Sequence, residues 1–325
     1  MSLFDNSSGL SGSGIAKNAP KKKGFLRYMD IWKNKFWKLI ELNLFYTIFL
    51  LPAVGAVASF FLGLNGVISV LTTKILISVF AILFVVLFGP ATAGLMKVMR
   101  NYVIEKPTFM IYDFMKTFKS EFKNAFLIGF LDCLLVCCVA SALYIYPEMA
   151  KQAENNFYYV LLGVTASVAL LAFLMNFYLF LILISTNISM KNVFKNSLYL
   201  AIVALKRNAI TFLIVGGVIA GIVALLCLLP FSIAVIVLTF LPFIPATWLA
   251  LVVAFNSYPI IQKHIINPYY EQKGEINPEL LLNLESDESL FEDMGGKEKP
   301  VELNKSENGK QSGFNSKNHK GKIIS

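Results

Sequence analysis

A stretch of 54 residues without a charged side chain, Ala209 to Gln262, constrains the fold of this chain more than any other feature. A transmembrane helix needs about 20 predominantly apolar residues to cross the hydrocarbon layer of a bilayer. The stretch therefore predicts two membrane helices, because three would leave no residues for turns. Its prolines place the turn within residues 230–245. Residues 231–241 are too apolar for a water-exposed loop, so they either extend the fifth helix or dip back into the bilayer.

Four further apolar runs precede this stretch, at residues 39–62, 75–98, 125–146 and 157–184. Only 15% of the 325 residues are charged and 56% are hydrophobic, whereas a soluble domain carries about 25% charged residues. Within lipid every backbone polar group must be paired inside the protein, and runs of this length satisfy that condition as helices. The sequence predicts an all-α, polytopic transmembrane helical bundle with about six membrane helices and cytosolic amphipathic surface helices.

The basic residues predict the orientation of the bundle. Eight, five and four Lys or Arg residues lie before residue 39, in 99–124 and in 185–208, whereas 63–74 and 147–156 hold one each and 230–245 none. Cytoplasmic loops of membrane proteins carry the excess of Lys and Arg. We therefore expect a multi-pass protein of a bacterial cytoplasmic membrane, with both termini in the cytoplasm. The net charge of +9 is then explained by contact with an anionic inner leaflet, and no nucleic-acid partner is expected.

Three parts are predicted along the chain: a basic cytosolic N-terminal arm (1–35), a transmembrane helical domain (36–266) and a disordered polar cytosolic tail (267–325). Apolar residues recur at helical spacing between basic ones in three segments, which predicts interfacial helices at 25–36, 108–124 and 191–205. The segments Lys123-Asn124-Ala125 and Arg207-Asn208-Ala209 are alike. They indicate either a repeated unit of one surface helix and two crossings or a chance similarity.

Asp132 is the first candidate for a functional site, because an ionisable group inside a membrane helix is costly. It could bind a cation, relay a proton or recognise a polar solute. Alternatively, it pairs with Asn176, which lies midway along the predicted fourth membrane helix, and the pair only holds helices together.

Two small-residue motifs predict close helix packing. Gly89, Pro90 and Gly94 lie in the second membrane helix, which Pro90 is expected to kink or break. A broken helix can expose backbone groups to a substrate, so the motif is open to either interpretation. Gly217 and Gly221 form a GxxxG pattern that favours a close helix contact and is compatible with a homo-oligomer.

Nothing in the sequence predicts an enzyme. The P-loop, dinucleotide-binding, zinc-protease and serine-hydrolase motifs are all absent. His264 and His319 have no partner at metal-ligand spacing, and the four cysteines form no CxxC pair. We expect no catalytic residue, no cofactor and no metal.

Three segments resemble the YesL family of bacterial integral membrane proteins, a domain of unknown function. They are Lys35 to Leu44, Gly89 to Leu95, and Asp113 to Lys123. The resemblance is good over about 25–130 and loose through 266. About 35 residues (54–88) are extra relative to the family, which adds membrane material here.

The resemblance implies an accessory role around carbohydrate transport or its sensing, and it transfers no catalytic residue. One hypothesis is therefore a non-enzymatic membrane protein with a transporter or sensor as its partner. The alternative is a small-solute transporter or channel that uses Asp132 and Asn176 inside the bundle.

Overall fold

A computed structural model describes residues 24–228 and 245–279 of the chain. All regular structure in these residues is helical. The helices are α1 (Phe25–Leu64), α2 (Val70–Val103), α3 (Met110–Ser120), α4 (Phe122–Gln152), α5 (Phe157–Ser185), α6 (Met190–Val203), α7 (Leu205–Leu228), α8 (Pro245–Ile261) and α9 (Asn267–Lys273), and a π-helical turn, Gln262–Ile266, joins α8 to α9.

Six helical segments are long and apolar enough to cross a membrane. They are α1, α2, α4, α5, the Leu205–Ile222 part of α7, and Ala246–Lys273, which comprises most of α8, the π-turn and α9. The prediction of an all-α polytopic bundle with six membrane helices is therefore confirmed. The predicted path of residues 231–241 and the composition-based expectation for the tail beyond residue 279 lie outside the described residues.

The first membrane helix is longer than its apolar run. α1 has 40 residues, which corresponds to about 60 Å, or roughly twice the hydrocarbon thickness. The segment from Phe25 is helical as predicted, but it is continuous with the crossing instead of forming a separate surface helix. Its apolar side is also partly covered by protein: Tyr28 and Ile31 are buried, and the Tyr28 ring meets Phe255 of α8 edge-on at 5.5 Å between centroids. Burial against α8 thus replaces part of the predicted contact with the leaflet.

The two short connecting helices occur where the spacing predicts them. α3 covers most of 108–124, and α6 covers most of 191–205. Phe114 of α3 is fully buried, with its ring centroid 5.1 Å from that of Phe45 and 5.4 Å from that of Phe49. An aromatic cluster therefore fixes α3 against α1.

Most buried residues lie at one end of the bundle, which we call the connector end because α3 and α6 lie there. The buried residues fall mainly in the first part of α1 (to Tyr46), the last part of α2 (from Gly89) and the last part of α5 (from Leu174). α8 packs against α1, α2, α5 and α7 and contributes a continuous buried run, Ala250 to Ala254. The opposite end, the hairpin end, contains the α1–α2 and α4–α5 turns, and its large apolar side chains are mostly exposed.

The two similar helix starts have different environments. Asn124 at the start of α4 is exposed. Asn208 at the start of α7 is buried, where it accepts a hydrogen bond from the Tyr178 hydroxyl and donates to the backbone oxygens of Leu200 and Ala201. The structure therefore reproduces the order of short and long helices in the predicted repeat, but it does not place the matching side chains in equivalent positions.

Candidate functional site

Asp132 and Asn176 meet between α4 and α5. Asp132 lies in the first half of α4 and Asn176 in the second half of α5, and the Asn176 side chain lies beside the Asp132 carboxyl group and interacts with it. Asp132 Oδ2 is buried without a hydrogen-bond partner. The structure thus brings together the two polar residues that the sequence singled out, and it leaves one carboxylate oxygen available to a donor.

The pair lies where the two helices leave the packed core. Ile128 and Gly129 of α4, and Phe177 and Tyr178 of α5, are buried. Towards the hairpin end, the large side chains of both helices become exposed, as at Leu134. The polar pair therefore sits at the base of a region where α4 and α5 have few other helices around them.

A cavity of about 490 Å³ begins at this point, and we call it the α4–α5 groove. Its lining is mainly aliphatic and includes Leu134, Val168 and Met175, with Phe194 of α6 also contributing. Asp132 is the one carboxylate among the described lining residues. Thr165 also lines the groove, but its hydroxyl donates to the Leu161 carbonyl of its own helix at 3.0 Å. The groove therefore combines apolar walls with one strong hydrogen-bond acceptor.

A second polar cluster, at the connector end, was not predicted. Arg100 of α2 forms an ion pair with Glu279, and both side chains are largely buried. Glu279 Oε2 also accepts hydrogen bonds from the Tyr258 hydroxyl (2.6 Å) and from Gln262 Nε2 (2.8 Å), and the Arg100 guanidinium lies 5.0 Å from the centre of the Tyr258 ring. The cluster ties the segment after α9 to α2 and α8.

The sequence contained a signal for half of this cluster. Met96, Met99 and Val103 are buried, and Arg100 lies among them at helical spacing, so it shares their face of α2. Arg100 is also one of the basic residues of the 99–124 linker, and that interpretation of its charge does not predict its burial. Glu279 carried no comparable signal, because it lies in a polar segment that had been assigned to a disordered tail.

The Gly89-Pro90 motif packs helices together and does not interrupt α2, which is continuous from Val70 to Val103. A Cβ atom added at Gly89 would lie 2.1 Å from the Ala125 carbonyl oxygen, and one at Gly129 would lie 2.6 Å from Gly89 Cα. Gly94 is similarly close to the backbone of Phe114. Pro90 therefore does not break the helix, because close packing supports it and a membrane helix can absorb the one hydrogen bond that proline removes. The alternative, a kink at Pro90, stays a prediction.

The GxxxG motif has no comparable contact within the chain. Added Cβ atoms at Gly217 and Gly221 would meet nothing within 4 Å among the described residues. Both glycines lie on an exposed face of α7. Between the described residues, therefore, these two glycines make no close helix contact.

Another membrane polar residue has a structural partner. Asn43 of α1 is buried and accepts a hydrogen bond from the Thr247 backbone N–H at 3.1 Å, while the Thr247 hydroxyl donates to the Leu39 carbonyl. These bonds hold the start of α8 against α1. Within the described ranges, no group of three His, Cys, Asp or Glu side chains is placed to hold a metal ion.

Comparison with known proteins gives one match. Residues 61–143 match the model of a family described as a protein of unknown function, DUF624. The match runs from the end of α1 through most of α4, so it contains Gly89, Gly129 and Asp132 but not Asn176. It also includes most of the 54–88 segment that the resemblance treats as extra. No curated protein and no solved structure matches the chain. The chain is thus a multi-pass membrane protein with a region similar to DUF624.

Proposed function

We propose that this protein is a non-enzymatic accessory protein of a bacterial cytoplasmic membrane that works beside a carbohydrate transport or sensing system. The carbohydrate connection comes from the resemblance to the YesL family. Two of the three segments that carry this resemblance, Gly89 to Leu95 and Asp113 to Lys123, lie within the DUF624 match.

One structural observation carries the accessory role: among the described residues, the outward-facing apolar side chains of the hairpin end are largely exposed. On α1, Val54 and Val57 are each more than half exposed, and on α2 Leu71 and Ile82 are 70% and 64% exposed. Helices of a partner could pack against these faces without displacing any contact between the described residues. Association within lipid depends on such van der Waals contacts, because burying apolar surface away from lipid gives little hydrophobic gain.

The side chains around the connector end support an orientation in which this end of the bundle and both termini face the cytoplasm. Trp37, Phe109 and Tyr112 are strongly exposed, and exposed basic residues such as Lys38 and Lys119 lie close to them in sequence. Aromatic rings favour the membrane–water interface, and Lys side chains favour anionic headgroups. This combination suits contact with an anionic inner leaflet.

Crosslinking in native membranes tests the accessory role. A photo-crosslinking amino acid at exposed Ile82 is compared with the same residue at fully buried Val98. After gentle detergent purification, mass spectrometry should find a stoichiometric sugar permease or sensor kinase crosslinked from position 82 but not from 98. Adducts with lipid or with a second copy of this chain alone would contradict the proposal. A stable partner unrelated to carbohydrate would contradict only the pathway.

A small-solute transporter or channel is the second candidate function, and the α4–α5 groove is the observation that favours it. A carboxyl group that lines an open cavity, with the Asn176 side chain beside it, could bind a solute on its way through the membrane. The measurement is solute uptake into proteoliposomes by the purified protein and by its Asp132→Asn variant. Equal uptake by the two proteins would remove Asp132 from the transport mechanism.

A further inference from the structure

The acceptor at the base of the α4–α5 groove restricts the headgroup of any ligand. An ionised carboxylate only accepts hydrogen bonds, and Asp132 Oδ2 is buried without a partner. No basic side chain is among the described residues that line the groove. A charge in this position is costly unless a donor or a cation pairs with it. A headgroup that donates hydrogen bonds and carries a positive charge supplies both, and by pairing with the carboxyl group it favours the ionised form of Asp132.

The walls restrict the remainder of the ligand. Val164 and Val168 on α5 are 56% and 59% exposed, and Leu134 on α4 is half exposed, so this part of the groove opens on the apolar flank of the hairpin. Towards the connector end, the groove is lined by Leu179 and Phe194, and the neighbouring Tyr178 is fully buried. A hydrated ion would have to cross apolar surface to reach Asp132, whereas an aliphatic chain would lie against it at no cost.

The volume fits a small ligand. Sites for small molecules occupy about 300–1,000 Å³ and combine apolar walls with a few polar groups that fix orientation. The groove, at about 490 Å³, falls within this range, and the Asp132 carboxyl group is part of its otherwise mainly apolar lining. A ligand with a polar head and an apolar tail would match this distribution along its length.

We propose that the α4–α5 groove binds a single-chain amphiphile with a primary amine headgroup, which enters sideways from the lipid phase and donates hydrogen bonds to Asp132. The Asn176 amide orients the carboxylate from the α5 side. The aliphatic tail lies along Leu134 and Val168 and continues into the bilayer. The inference concerns binding alone, and it does not depend on the accessory role or on transport.

Photolabelling tests this proposal with the full chain in phosphatidylcholine nanodiscs, which lack competing anionic lipid. The probe is a diazirine-bearing octadecylamine, and its counterpart is the same chain with a carboxylic acid head. We expect the amine to label α4 and α5 peptides saturably and the acid not to do so. Asp132→Asn should raise the half-saturating amine concentration by about tenfold, because a charge-assisted hydrogen bond is lost.

Two further variants keep the result interpretable. Glu148→Gln makes the equivalent change at an exposed position of the same helix, outside the groove, and should leave labelling unchanged. Ala172→Phe places a ring into the groove and should abolish saturable labelling without touching the acceptor. If Asp132→Asn does not fold, the Ala172→Phe variant and the comparison of the two probes on the unaltered chain still test whether the groove binds the amine. Equal labelling by amine and acid, or labelling that survives Ala172→Phe, would overturn the proposal.

Discussion

The contact between Gly89 of α2 and Gly129 of α4 makes a sharp prediction about stability. A Cβ atom at Gly89 would lie 2.1 Å from the Ala125 carbonyl oxygen, whereas ordinary van der Waals contact begins at 3.4 Å. Both atoms belong to helix backbones, so no flexible side chain can move aside. In a Gly89→Ala variant, α2 and α4 would have to separate by roughly 1 Å, with the strain and lost packing of an overfilled core.

The magnitude follows from two opposing effects. Overpacking a core costs about 1–3 kcal/mol, and a backbone clash belongs at the upper end of that range. Replacing glycine by alanine within a helix returns up to about 1 kcal/mol. We therefore expect Gly89→Ala to lower the free energy of unfolding by about 2 kcal/mol, which corresponds to a fall of about 4–8 °C in the midpoint of thermal unfolding.

Thermal unfolding in detergent micelles, followed by the loss of the monodisperse peak in size-exclusion chromatography, measures this change. The matched control is Gly163→Ala on α5, where an added Cβ would meet nothing within 4 Å. The control should be unchanged or slightly more stable. If Gly89→Ala unfolds at the same temperature as Gly163→Ala, then α2 and α4 are not in backbone contact and the packing described for the connector end is wrong.

Three further predictions follow from the polar contacts and the basic residues. Arg100→Met should destabilise the protein by about 3–5 kcal/mol, because it leaves Glu279 buried without its cation, and adding Glu279→Met should restore much of that loss in the same unfolding assay. Asn208→Leu should lower the free energy of unfolding by about 1–3 kcal/mol through its lost hydrogen bonds. Asn124→Leu, at the matching exposed position, should leave the free energy of unfolding nearly unchanged, and a similar decrease for both variants would contradict the difference in burial. Reporter enzymes fused to either terminus should be active only in the cytoplasm, and activity outside would invert the proposed orientation.

The membrane helices could be predicted from sequence because lipid forces each crossing to satisfy its own backbone. The uncharged stretch Ala209 to Gln262 therefore identified two helices without any knowledge of their neighbours. The helical spacing of Phe114 and Phe118 identified α3 in the same way, since the pattern of one amphipathic helix is local.

Contacts between distant segments could not be predicted in this way. Arg100 and Glu279 are separated by 179 positions, and no sequence pattern around either residue indicates that the other is its partner. The aromatic and basic residues from Phe25 onwards fit a surface helix equally well until α8 is known to cover Tyr28. The pairing of Asp132 with Asn176 could be predicted from the sequence because each is a polar residue inside an apolar run. Polar side chains in such runs tend to interact across membrane helices.

The central position of α8 has a consequence for how the protein is made. The bond from the Thr247 N–H to Asn43 joins residues 204 positions apart. A ribosome adding about 5–20 residues per second therefore needs roughly 10–40 s after α1 emerges before α8 exists. During that interval the side chains that α8 covers in the finished bundle, such as Tyr28 of α1, lack their partner helix. The contacts of α8 with the other helices can consequently form only late in synthesis, after the first five membrane helices have been made.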